Sequence, residues 1–381
     1  MTSLARGDDA ARLRAAAEEF GATLNAGLEE RDRSGSFDRD LWRRCAEFGV
    51  LGLPLPERYG GSGQELPTLV RALEGLGYGC RDNGLLFALG AQLWSVQMPI
   101  LLFGSEEQRE RYLPGLLDGS LIGAHAVTEA EAGSDAFSLR TSARPDGDGW
   151  VLDGVKSFTT SAPVADVFLV MATVDPGLGT RGLTAFLVER GTPGLAVGAV
   201  YEKMGLRTSS IGEVVLSGCR VHSSQLLGRE GGGSAVFGAA MEWERSFILA
   251  PALGTMRRQL DECVRYARSR RQFGAPIGKQ AAVAGKLVDM QLRLETSQLL
   301  AYRLAERKQA GTRLTYEPSQ LKLHLSESWV QTSLDAIQVH GGAGYMVELG
   351  VERDLRDAIA SRIYSGTSEI QRMLIAGFLG L

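Results

Sequence analysis

Only four cysteines, Cys45, Cys80, Cys219 and Cys263, and four histidines occur in 381 residues. No Cys-x-x-Cys pair is present and the histidines lack ligand spacing, so neither a metal site nor a disulfide framework is expected. Charge of one sign is also lacking. The 41 Lys and Arg against 45 Asp and Glu leave a formal net charge of −4, with none of the basic excess that nucleic-acid binding draws on. The N-terminus mixes Arg6, Asp8, Asp9 and Arg12, where an export signal would be basic and then apolar. Long apolar runs are scarce too. The most hydrophobic stretch, residues 84–104, is interrupted by Gln92, Ser95, Gln97 and Pro99, which a membrane span tolerates poorly. It reads as a buried core helix ending near Pro99. These absences describe a cytoplasmic protein with reduced thiols and with no nucleic-acid or membrane partner.

What is present is a chain long enough for two or three packed units, since single cores stop growing at roughly 250–300 residues, with 44% hydrophobic residues to fill them. Residues 1–121 carry Leu and Phe at three- and four-residue intervals, broken at Pro54, Gly60, Gly61, Gly63 and Gly104, and form an α-helical domain. Residues 122–228 change to short β-type runs such as Val167-Phe-Leu-Val-Met171, Thr184-Ala-Phe-Leu-Val188 and Glu213-Val-Val-Leu216. Residues 229–381 return to long helical periods over 235–269, 281–309 and 318–339, which need a bundle to bury them. The fold class is therefore α+β. The glycine run Gly231-Gly-Gly233 lacks the ending of a phosphate loop and reads as an inter-domain hinge.

Taken alone, Thr128-Glu-Ala-Glu-Ala-Gly-Ser-Asp135 is either a plain surface loop or a turn offering hydroxyls and free N–H groups to a ligand. A longer segment decides the weighting. Arg362-Ile-Tyr-Ser-Gly-Thr-Ser-Glu-Ile-Gln371 resembles the active-site signature of the acyl-CoA dehydrogenase family, with Ser365 where the usual catalytic glutamate stands. His125-Ala-Val-Thr-Glu-Ala-Glu-Ala-Gly-Ser-Asp135 is similar to that family's flavin loop, and Gly154-Val-Lys-Ser-Phe-Thr-Thr-Ser161 to the strand beside the isoalloxazine. The resemblance spans nearly the whole chain and implies a helical N-terminal domain, a β-barrel-like middle domain and a C-terminal four-helix bundle. It implies FAD as cofactor, contacted by His125, Val127, Thr128, Gly133, Ser134, Phe158 and Thr160, then by Thr367 and Glu369. Phe158 stands at a customary tryptophan and can still stack; ordinary core packing is its alternative. Tyr266-Ala-Arg-Ser-Arg-Arg-Gln-Phe-Gly274 and Gln338-Val-His-Gly-Gly342 resemble the two halves of an inter-subunit clamp on FAD. That clamp would use Arg270, Gln272, Phe273 and Ile277 with Gln338, Gly341 and Gly342, and implies a homodimer or homotetramer. Arg268 and Arg271 read as a solvated helix face, and His340 as a packed histidine.

In this family a carboxylate removes the proton next to a thioester carbonyl while a hydride passes to the flavin. Ser365 is no such base, because an unassisted hydroxyl accepts protons too weakly. Its backbone N–H can still hold the thioester oxygen, beside Gly366 and Ser134. Glu244, in Met241-Glu-Trp-Glu-Arg-Ser246, sits where isovaleryl- and long-chain members carry their base. It is the expected base, with Arg245 orienting substrate and Glu242 near the pantetheine arm; an ordinary surface glutamate is its alternative. Gly79-Cys-Arg-Asp-Asn-Gly84 and the Glu244 segment look like antibiotic-pathway dehydrogenases, several of which act on acyl or aminoacyl groups, prolyl included, tethered to carrier proteins. The resemblance thus implies an acyl or aminoacyl thioester, on a carrier protein or CoA, and an acceptor that is electron-transfer flavoprotein or oxygen. A flavin monooxygenase on the same fold, or a non-catalytic flavoprotein, are the competing readings.

Overall fold

The computed structural model describes residues 2–381. Helices α1 (Thr2–Ala22), α2 (Leu28–Ser34), α3 (Arg39–Glu47), α4 (Leu66–Gly79), α5 (Asn83–Gln92), α6 (Met98–Phe103) and α7 (Glu106–Leu117) come first. Their starts are written in the sequence. Asp38 accepts from the Asp40 and Leu41 amides to begin α3, and Ser105 with Gln108 forms a capping box on α7, satisfying donors that a helix end otherwise leaves bare. The apolar segment does not end near Pro99 as expected. It runs on to Phe103, because a π-turn at Leu93–Gln97 widens the coil just ahead of the proline that cannot donate.

Strands β1 (Gly123–Ala126), β2 (Ser142–Asp146), β3 (Gly149–Thr160), β4 (Val167–Thr173), β5 (Leu183–Glu189), β6 (Leu195–Val200), β7 (Ile211–His222) and β8 (Leu226–Leu227) make one sheet. Its order is β6-β7-β3-β2-β4-β5-β8, with β1 parallel to β4. Strand β4 is buried along its whole length, as its unbroken apolar run requires. By contrast β7 begins with alternating buried and half-buried positions, one face on the core.

Helices α8 (Gly233–Phe247), α9 (Ala250–Ser269), α10 (Ala281–Gln309), α11 (Glu317–His340), α12 (Gly342–Tyr345), α13 (Val351–Ala360) and α14 (Ser368–Phe378) complete the chain, with a small β9 (Arg271–Gln272)–β10 (Ala275–Pro276) hairpin after α9. The helix expected over 235–269 is two, because the chain turns at Ile248–Leu249 and Pro251 sits in the first turn of α9. The glycine run is no loose hinge either. The Gly231 amide bonds the Thr184 hydroxyl at 3.0 Å, and a Cβ on Gly233 would press on the Leu183–Thr184 backbone. Helix crossing is equally tight between α4 and α9, where a Cβ on Gly77 would collide with the Pro251 carbonyl and one on Gly254 with that of Glu74.

A buried polar network ties the three regions. Asn83 at the start of α5 donates to Asp354 at 3.2 Å and Asp357 at 3.1 Å on α13. Arg258 of α9 grips both oxygens of Asp354 at 2.9 and 3.1 Å, and Asp357 receives the Leu206 amide from the β6–β7 connection at 2.5 Å. Burial holds the Asp357 carboxyl up at about 7, though the Leu206 and Asn83 bonds pull it back.

Candidate active site

Glu244 lies in the last turn of α8 and is 8% exposed. Burial raises its pKa above the usual carboxylate range, while the Ser95 and Ser365 hydroxyls and the charges of Arg245 and Lys322 act in the opposite sense. Neither hydroxyl oxygen closes a hydrogen bond of good geometry with any protein group among the described residues, although both are buried. A buried carboxyl with weakly engaged neighbours is what a proton-abstracting group needs, since its basicity is not spent on a fixed partner. The surface-glutamate alternative fails on burial alone.

Ser365 faces Glu244 from the turn between α13 and α14, with φ 57°, followed by Gly366 at 86°. Both lie in the left-handed region, strained for a serine. Arg245 Nε donates to the Ser365 carbonyl at 3.1 Å. Thus Glu244, Arg245, Ser365 and Gly366 are brought together. Glu242 is not: it points from another face of α8 to an ion pair with Lys308, whose ammonium also sits 4.1 Å over the Trp243 ring. At 100° per residue, positions 242 and 244 face opposite ways. Aromatic rings pack around this end of α8, with Trp94 5.3 Å from Phe247 and 6.0 Å from Trp243 between centroids, and Phe87 lies 4.5 Å from Tyr364, the residue before Ser365.

On the sheet side, β3 slips register against β7 between Lys156 and Thr159. The irregularity contains Phe158 at φ 53° and is followed by Ser161 at 63°. A bulge here turns Phe158 outward, 61% exposed, with its ring centroid 4.9 Å from Tyr201. Core packing is thereby excluded for Phe158, and an exposed ring on a strained backbone suits a planar heteroaromatic partner. Thr160 is the last residue of β3. The loop that follows β1 carries Val127, Thr128, Gly133 and Ser134; the Val127 carbonyl accepts from Lys156 Nζ at 3.1 Å, the Thr128 carbonyl from the Ser157 amide at 2.8 Å. The Gly133 and Ser134 positions are exposed, and nothing lies within 4 Å of a Cβ built on Gly133. His125 is neutral, its pKa pressed down to about 3 by burial and by Lys156, and its buried Nε2 has no protein partner among the described residues. Together with the Thr159 hydroxyl, which has no partner among the described residues, these groups fit a polar, planar cofactor edge such as that of FAD.

The remaining expected flavin residues gather elsewhere. The Tyr266 and His340 rings meet at a tilt with centroids 4.5 Å apart, and the Tyr266 hydroxyl donates to the His340 carbonyl at 3.4 Å, which ties the end of α9 to the chain just before Gly341 and Gly342. Arg270, Gln272, Gln338, Gly341 and Gly342 are exposed there, and Phe273, 94% exposed at φ 50°, tips the hairpin. Ile277 closes its base by donating to the Arg270 carbonyl at 2.8 Å. Thr367 caps α14, and Glu369 lies exposed in its first turn. His340 is buried and bonds the Ala336 carbonyl, the packed histidine expected.

Some site residues escaped the sequence reading. The Glu129 carboxylate receives Lys156 Nζ at 2.7 Å and the Arg140 and Thr141 amides at 2.6 and 2.9 Å, and so builds the loop after β1. Lys156 in a strand run was the visible signal. Ser95 had shown only as an interruption of an apolar segment.

Three family models match: the acyl-CoA dehydrogenase N-terminal domain over residues 7–120, the middle domain over 124–219 and the C-terminal domain over 231–380. The chain belongs to the acyl-CoA dehydrogenase family. An L-prolyl-[peptidyl-carrier protein] dehydrogenase of Pseudomonas fluorescens is 41% identical over 356 residues, 92% of each chain. Among solved structures, the prolyl acyl carrier protein oxidase AnaB superposes with a TM-score of 0.97 at 49% identity, over 98% of this chain and 99% of that one. PigA with FAD and proline gives 0.95 at 38%, over 98% of both.

Proposed function

We propose that this protein is an FAD-dependent dehydrogenase that oxidises an aminoacyl thioester, a prolyl group on a carrier protein foremost, with Glu244 as the base. The carrying observation is the buried, basicity-raised Glu244 carboxyl set against the Ser365 turn. The two prolyl-carrier relatives support the choice of substrate over a fatty acyl-CoA. When bound, FAD supplies the acceptor for the departing hydride, and His125, the 127–134 loop, Phe158, Thr160, Thr367 and Glu369 are the residues to hold it. Glu244 takes the proton next to the thioester carbonyl, and the Ser365 amide receives that carbonyl's oxygen as negative charge develops on it. Arg245 fixes the turn that presents this amide.

The exposed Phe273 and the open glycines at 341 and 342 support a homo-oligomer in which this end meets a second copy's flavin, as does the apolar stripe of Val288, Leu292 and Leu299 on α10, each more than 60% exposed. The four cysteines are unpaired and buried, which suits the reducing cytoplasm. The acceptor is electron-transfer flavoprotein or oxygen.

The test is anaerobic mixing of the flavin-loaded protein with prolyl-carrier, other aminoacyl- and acyl-carrier, and matched CoA thioesters. Rapid bleaching by the prolyl carrier is the expected result. Bleaching by CoA thioesters alone would replace the carrier, and none by any thioester, with oxygen incorporated into product under air, would turn the reading to a monooxygenase.

A further inference from the structure

Lys322 is the least expected side chain of α11: it is fully buried and is neighboured in sequence by the buried Leu321. Its Nζ donates to the Gly366 carbonyl at 2.6 Å. Two other side chains reach the same turn, Arg245 bonding the Ser365 carbonyl at 3.1 Å and Gln371 Nε2 bonding those of Ser365 and Gly366 at 3.0 and 2.8 Å. Consecutive carbonyls are thus pinned from α8, α11 and α14 together. Across a trans peptide the C=O and the following N–H point oppositely, and no peptide here is cis. Pinning the carbonyls of Ser365 and Gly366 therefore aims the amides of Gly366 and Thr367 away from the three donors. These amides and that of Ser365 donate to no protein group among the described residues. Successive free N–H groups on a left-handed turn form a concave donor for an oxygen carrying negative charge.

We propose that Lys322 is a positioning residue which, with Gln371 and Arg245, aims the amides of Gly366 and Thr367, beside that of Ser365, at the thioester oxygen, and stands as one of two buried cations next to Glu244. The inference rests on the thioester reading above. The charged groups facing Lys322 are Arg245 and Glu244 from α8, Glu327 of its own helix and Glu369 from α14; burial, with Arg245, lowers the ammonium to about 8. Facing Glu244 are Ser95 from the π-turn, Ser365, Arg245 and Lys322. Removing Lys322 deletes one of two cations that favour the carboxylate. A purely structural lysine would leave the Glu244 titration where it is and would not separate the rate of flavin reduction from thioester affinity.

The test uses Lys322→Met, Lys322→Arg and Gln371→Leu in the full-length flavin-loaded protein. The Glu244 carboxyl is titrated by carbon NMR without substrate, assigned with Glu244→Gln; its pKa rises by about one unit in Lys322→Met and stays put in Lys322→Arg and Gln371→Leu. Anaerobic flavin reduction by the prolyl-carrier thioester slows roughly 100-fold in Lys322→Met and about 10-fold in Gln371→Leu, with thioester affinity much less affected, and Lys322→Arg recovers most of the rate. A Lys322→Met protein with wild-type titration and rate overturns the proposal. Should that variant not fold, a Gln371→Leu protein that reduces its flavin at the wild-type rate does the same. If no thioester reduces the wild-type flavin, the functional reading fails, while the Glu244 titration still tests Lys322.

Discussion

At the scale of single residues, the site is a contest between burial and charge. Glu244 loses hydration and is pushed up, so its proton leaves only above the ordinary carboxylate range. With Glu244 as the proposed base, acting ionised, the rate of flavin reduction rises with pH through that raised value. Replacing Glu244 by Gln keeps the shape and removes the acceptor; reduction falls by about 10³-fold or more while bound flavin is unchanged, measured by anaerobic stopped flow. Lys156 makes a sharper stability test. It is fully buried against the mostly enclosed Glu129, 2.7 Å away, so Lys156→Met leaves that carboxylate without its cation, held only by the Arg140 and Thr141 donors, and costs about 3 kcal/mol in denaturant unfolding, whereas Lys156→Met with Glu129→Gln costs much less. Glu244 was legible in the sequence because its motif is contiguous. Lys322, Gln371 and the Glu129–Lys156 pair were not, since each draws its meaning from partners on other elements that no local pattern records.

At the scale of elements, long periodic helices were readable to within a residue or two: 281–309 and 318–339 against α10 and α11. Misreadings fell where backbone hydrogen bonding departs from the α pattern without a change in polarity, at the α8–α9 break and the π-turn. The β9–β10 hairpin is an element whose apolar tip, Phe273, no described residue of its own chain covers. Phe273→Ala therefore leaves unfolding of the subunit unchanged but lowers flavin retention and shifts the assembly toward smaller species, read by absorbance after gel filtration and by sedimentation. Retention and assembly both unchanged would remove this hairpin from the proposed inter-subunit clamp. The α4–α9 crossing has the opposite sensitivity. Gly254→Ala forces backbones apart and destabilises by about 2 kcal/mol or more, seen as a lower thermal midpoint.

At the scale of the molecule, the Asn83–Asp354–Asp357–Arg258 network joins helices from both ends of the chain to the sheet. Asp357 keeps its proton in the fold up to about pH 7, whereas the unfolded chain releases it near the ordinary aspartate value. A raised folded pKa contributes stability at low pH that is lost as pH climbs between those two values. Unfolding free energy contributed by this group thus declines from about pH 4 to pH 7 and then levels. Asp357→Asn flattens that decline in denaturation series across the interval. The order of helical, strand-rich and helical regions was legible from periodicity alone; the network was not, because Asn83 and Asp357 are 274 positions apart.

The π-turn at Leu93–Gln97 has a consequence for how this site tolerates change. The turn holds one residue more than an α coil would, so deleting one there would close the bulge with the helices on either side kept in register, and would draw Ser95 off Glu244 without altering any other element. The surroundings of Glu244 are thus set in part by a residue count, and substitutions scanned one by one along the segment would not disclose it.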